Sequence, residues 1–64
     1  MPAKVRDALR ALKRDGWVLT TQRGSHRQFK HPRKPGKVTV SGHESDDLPP
    51  KLERSILRQA GLWP

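Results

Sequence analysis

A chain of 64 residues with a formal net charge of +8 and no cysteine is tightly bounded by its composition. This length supports one small domain, residues 1–64. Disulfides and thiolate metal sites are excluded, and no run approaches the roughly 20 apolar residues that a membrane-spanning helix needs. The surplus of Lys and Arg points to a polyanionic partner, and the charged opening from Met1 to Asp7 reads as a soluble cytoplasmic protein without a targeting segment.

In chain order, Val5, Ala8, Leu9 and Leu12 recur at i, i+3, i+4 and i+7, which predicts an amphipathic helix over about residues 3–14. Gly16 is placed to end it in the left-handed conformation. Trp17 to Gln22 is rich in β-branched and aromatic residues and reads as a strand. Arg23-Gly24-Ser25 follows as a turn, with Gly24 supplying the positive φ, and His26 to His31 reads as a second strand. The loop from Pro32 to Gly36 carries breaker residues, Lys37 to Val40 is a third strand, and Ser41 to Leu48 is a loop holding Glu44, Asp46 and Asp47. Pro49-Pro50 opens a second helix, with an apolar stripe at Leu52, Ile56 and Ala60 flanked by Leu57 and a terminator at Gly61. Leu62 and Trp63 are expected to fold back, and Trp17 and Trp63 to serve the core or its rim. The predicted fold is a small two-layer α+β domain of order α-β-β-β-α, two helices on one face of an antiparallel sheet. It resembles the double-stranded-RNA-binding domain.

Alternation along the second strand turns its one large apolar residue, Phe29, toward the helices. Arg27 and His31 share that side, whereas His26, Gln28 and Lys30 point to the open face. From Arg23 to Lys37 the cations Arg23, Arg27, Lys30, Arg33, Lys34 and Lys37 run without one acid, as an anion-binding surface requires. An acidic protein partner would explain the same charge, and a merely solvated face is the plainer alternative. His26 is the side chain suited to proton transfer near neutral pH. Pattern alone leaves it three roles: catalytic acid or base, nucleic-acid contact, or strand-edge residue without a function. Arg23, Gly24, Ser25, Arg27, Gln28 and Lys30 are the candidate RNA-binding residues, Gly24 and Ser25 through their backbone amides. Lys30, which shares the face of His26, is the first candidate to stabilise charge on phosphoryl oxygens, with Arg23 and Arg27 second. Ser25 diverges from the imidazole and is not a nucleophile paired with it. His31 reads as structural, and His43, in a Gly-containing acidic loop, is not counted among the site residues, although that loop could bring it toward the site. His26, His31 and His43 have no recognised ligand spacing, so no metal or cofactor is expected.

These elements resemble the HicA toxins, small bacterial mRNA interferases of type II toxin–antitoxin pairs. The resemblance runs through Asp15-Gly16-Trp17, the segment Gly24-Ser25-His26-Arg27-Gln28-Phe29-Lys30-His31-Pro32, and Arg54-Ser55-Ile56-Leu57-Arg58-Gln59-Ala60-Gly61-Leu62, so it covers nearly the whole chain. It implies a double-stranded-RNA-binding-like fold, metal-independent cleavage of mRNA, His26 as the catalytic histidine, and a hetero-oligomer with a HicB-type antitoxin. Two departures stand out. Ser41-Gly42-His43 replaces the family's frequent Pro-x-His, and Lys51-Leu52-Glu53 replaces its frequent Gly-Thr-Leu, leaving Leu52 to supply the apolar contact. A non-catalytic nucleic-acid-binding module with a basic open sheet face is the alternative reading.

Overall fold

The computed structural model describes residues 3–63. Its elements are β1 (Ala3–Lys4), α1 (Val5–Asp15), β2 (Val18–Arg23), β3 (His26–Lys30), β4 (Lys37–Val40), β5 (Asp47–Leu48) and α2 (Pro50–Gln59). The main sheet is the antiparallel meander β2-β3-β4, and the two helices share a core with one of its faces, as the α-β-β-β-α order predicts. Leu12, Ile56, Val38 and Val40 are fully buried, with Trp17 and Phe29 beside them.

Helix α1 starts two residues later than its hydrophobic pattern predicts. Ala3–Lys4 instead forms a short antiparallel bridge with Asp47–Leu48 in what the sequence presents as a loop. The cause is backbone satisfaction at the helix start. The N–H groups of Val5 and Arg6 donate to the carbonyls of Asp46 (3.0 Å) and Glu44 (3.1 Å). The Lys4 N–H donates to the Asp7 carboxylate at 2.8 Å, and the Lys4 ammonium pairs with Asp47. The acidic loop thus braces α1. At the other end Gly16, at φ +104°, turns the chain back. The N–H groups of Gly16 and Trp17 donate to the Lys13 and Leu12 carbonyls, and Trp17 enters the core.

Helix α2 repeats this ending, with Gly61 and Leu62 donating to the carbonyls of Arg58 and Leu57 and Leu62 folding onto the core. Its inner face is Glu53, Ile56, Leu57 and Ala60, and Leu52 is 42 % exposed, so the expected Leu52 contact is not made. Steps of four residues overrun a 3.6-residue turn, and the stripe rotates away from Leu52 toward Glu53. Glu53 lines the shallow cleft between α1 and α2 with Asp7, Ala8 and Leu57. Trp63, expected at the core or its rim, is 41 % exposed, with the Arg54 guanidinium 6.0 Å from its ring centre.

Strand β3 ends at Lys30, one residue before His31. His31 ties three chain segments together, in keeping with its structural reading. Its Nδ1 accepts the N–H groups of Arg33 (3.0 Å) and Lys34 (3.2 Å). The ring proton therefore belongs on Nε2, which faces the Asp15 carbonyl at 2.8 Å. Trp17 packs edge-on against the ring at 5.2 Å. The Lys34 ammonium joins the Asp15 carboxylate (2.5 Å) to the Ala60 carbonyl (3.0 Å), and the Trp17 indole also donates to Asp15. The Lys34 hydrogen bond is the main reason the Asp15 carboxyl lies below the usual carboxylate range. This hub fixes the end of β3, and with it the register of the strand that carries His26.

Candidate nucleic-acid interface

Two residues, Gly24 and Ser25, join β2 to β3, and Arg23 and His26 are the first cross-strand pair. Gly24 stands at φ +57°, while no non-glycine residue described has positive φ. A positive φ at the first central position alone marks a type II′ turn, whose twist suits a hairpin. From the core side, Gln22 Nε2 donates to the Gly24 carbonyl at 3.2 Å and Arg27 Nη1 to the Ser25 carbonyl at 3.5 Å. The two turn carbonyls are thereby held toward the helices. Among the described residues, the Gly24 and Ser25 N–H groups have no protein acceptor.

Direct cross-strand partners share a face. In β3, Phe29 is buried and opposite Val38, whereas His26 and Lys30 are exposed and Gln28 is half-buried. The open face therefore carries His26 opposite Arg23, Gln28 between Thr21 and Thr39, and Lys30 between Val18 and Lys37. Among the described residues no acid stands on it. Cβ atoms of direct partners lie about 5 Å apart, so Arg23 is the cation beside His26. Lys30 sits four residues further along β3, or about 13 Å at the strand rise. Its own neighbour is Lys37, and two ammonium groups placed opposite each other repel. A phosphate bridging them removes that repulsion.

Arg27 is on the other side of the sheet. It is half-buried, opposite Val40, and its guanidinium donates to the Gly42 carbonyl at 2.9 Å. This bond fastens the loop after β4 to the sheet. His43, next in that loop, is exposed, and its N–H donates to the Asp46 carboxylate at 3.0 Å. His31 is in the hub beneath α1 and takes no part in the open face. Among the described residues no three of the His, Asp and Glu side chains converge as metal ligands would.

The structure brings together His26, Gly24, Ser25, Arg23, Gln28 and Lys30, and separates Arg27 from them. Four residues outside the sequence-derived set join the face: Val18, Thr21, Lys37 and Thr39. Lys37 and Thr39 were accessible to the same alternation that sorts β3, because Val38 and Val40 between them are core residues. Thr21 was not, because β2 shifts register between Leu19 and Thr21.

Compared with known families, residues 5–62 match the family described as HicA toxin of bacterial toxin–antitoxin. Comparison with curated proteins finds no match.

Proposed function

The chain belongs to the HicA toxin family, and from that membership and the geometry of its open face we propose that it is a metal-independent endoribonuclease that cleaves mRNA through His26. The supporting observation is an exposed imidazole paired across the hairpin with Arg23, on a face of cations and amides without an acid.

RNA carries a 2′-hydroxyl beside every phosphodiester. Neutral His26 takes that proton, and the 2′-oxygen attacks the adjacent phosphorus as the bond to the 5′-oxygen breaks. The leaving oxygen regains a proton from the imidazolium or from water, leaving a 2′,3′-cyclic phosphate on one product. Arg23 donates to the phosphoryl oxygens as negative charge builds. That role falls to Arg23 before Lys30, because Arg23 is the direct neighbour of His26. Gly24 and Ser25 offer backbone N–H donors to the same phosphate, Gln28 contacts the ribose or base, and Lys30 with Lys37 holds the strand further along. Arg27 acts from behind, by fixing the turn and the Gly42 carbonyl. The toxin acts in the cytoplasm and is neutralised there in a hetero-oligomer with a HicB-type antitoxin.

The test is a cleavage assay in excess EDTA with native protein and His26→Ala, using a defined RNA and a nuclease-contamination control. General acid–base help is worth typically about 10²–10⁴-fold. The variant is expected to lose at least the lower figure while keeping its RNA affinity. Native protein that binds RNA in a salt-dependent way, yet never cuts it across pH, selects the alternative of a non-catalytic RNA-binding module on the same face.

A further inference from the structure

The two edges of the main sheet differ. At the β4 edge, the outward N–H of Thr39 donates to Gln59 Oε1 of α2 at 3.4 Å, and Gln59 is itself held by Ser55. A helix side chain thus occupies that edge. At the β2 edge every residue from Val18 to Arg23 is exposed, and no hydrogen bond from another element reaches the outer side among the described residues. A two-residue hairpin closes on the Arg23–His26 pair. The alternation of an antiparallel ladder therefore turns the N–H and carbonyl of Gln22 outward, as it does those of Thr39. Unpaired strand edges are templates for another strand, and proteins ordinarily blunt them.

Beside this edge runs an apolar groove of about 600 Å3 between β2 and α1. It is lined by Leu9, Trp17, Leu19 and Phe29, with Lys13, Arg27 and the one acid Glu44. Leu19 is 45 % exposed and Val18 58 %, an unusual display of apolar surface in so small and charged a chain. The register shift after Leu19 places Leu19 and Gln22, three residues apart, on the groove side. It places Thr21 and Arg23 on the open face with His26. One strand thus borders both the groove and the candidate active face.

We propose that an extended segment of the antitoxin, alternating apolar and acidic residues, adds as a strand along the free edge of β2. Its apolar side chains fill the groove against Leu9, Leu19 and Phe29, and its acidic ones meet Arg23 on the opposite face. Backbone pairing supplies affinity, and the alternating pockets supply specificity. Charge selects this occupant. The strand carries Arg23 and no acid, and the chain has a net charge of +8, which repels a second copy and attracts an acidic segment. The segment neutralises the toxin by withdrawing Arg23 from the phosphate, without having to cover the imidazole. The docking rests on the family's pairing with an antitoxin and is independent of the cleavage reading, on which only the neutralisation through Arg23 rests.

Hydrogen exchange of the toxin alone and in complex with its cognate antitoxin, without RNA, tests this directly. The amides of Val18–Gln22 are expected to slow by at least tenfold in the complex. Leu19→Glu, at an exposed position outside the cleavage machinery, is expected to weaken antitoxin binding by about 10–100-fold, with its thermal melt and RNA affinity unchanged. Unchanged exchange across β2 in the complex overturns the proposal, as does undiminished affinity of a folded Leu19→Glu. Protection of β2 that grows with toxin concentration alone assigns the edge to a second copy and also overturns it. If Leu19→Glu fails to fold, exchange of the native complex decides the matter. Loss of RNA cleavage in a separate assay bears only on the role of His26.

Discussion

Gly16→Ala is expected to destabilise this domain well beyond Gly24→Ala, although both glycines hold positive φ, +104° and +57°. A side chain in the left-handed region costs about 1–2 kcal/mol at either position. At Gly24 that is the whole effect, since a Cβ there meets nothing within 4 Å. At Gly16 the new Cβ would stand 2.9 Å from His31 Nε2. The ring has nowhere to retreat. Its side chain is 8 % exposed, and it is held by hydrogen bonds on both nitrogens and by the Trp17 edge. Moving it breaks the 2.8 Å bond to the Asp15 carbonyl. Leaving a buried polar group unsatisfied adds about 1–3 kcal/mol. The sums are roughly 2–5 kcal/mol for Gly16→Ala against 1–2 for Gly24→Ala. A domain of this length has about 3–10 kcal/mol of stability in all, so Gly16→Ala takes it close to unfolding. Urea titration followed by tryptophan fluorescence measures both variants. Equal losses, within about 0.5 kcal/mol, would refute the steric reasoning. So would an undiminished Gly16→Ala penalty in a His31→Ala background.

Further expectations concern charge, acid and packing. Lys30→Ala and Lys37→Ala should each flatten the salt dependence of single-stranded RNA binding by about 0.7 in log–log slope, while leaving stability unchanged or slightly raised because a like-charge pair is removed. Unaltered slopes in both would place RNA elsewhere. The Asp15 carboxyl is lowered in the fold, chiefly by the Lys34 hydrogen bond. Its contribution is complete above the ordinary carboxylate range and disappears as pH falls through the lower folded value. As pH falls below the ordinary carboxylate range, native protein should therefore lose urea resistance more steeply than Asp15→Asn, and parallel curves would contradict this. Leu12→Ala, at a site with no exposure, should lower stability by about 2–5 kcal/mol in the same titration.

The helices and the hairpin were legible because their signals are local. Val5, Ala8 and Leu12 mark one face of α1, Gly16 ends it, the prolines open α2, and Gly24 makes the turn before His26. The side of the sheet taken by His26, Gln28 and Lys30 followed from one residue, Phe29, and strict alternation along a strand without irregularity. The β1–β5 bridge was not legible, because two residues paired across the domain leave no periodic trace. Nor was the exposure of Leu52, which a four-residue spacing places on the stripe and the 3.6-residue turn carries off it. The side taken by Lys37 was legible by the same alternation, since it stands one step before a core valine.

Composition and spacing alone determined a small basic α+β domain with one histidine facing away from the core on an acid-free strand. What surrounds that histidine was decided only by the fold. Counting by twos from the buried Trp17 would put Thr21 and Arg23 toward the helices, whereas the irregularity in β2 rotates both to the open face and sets Arg23 against His26. An extra residue in one strand matters only relative to the strand it pairs with. Its effect appears when the two backbones are in register, not in either segment read by itself.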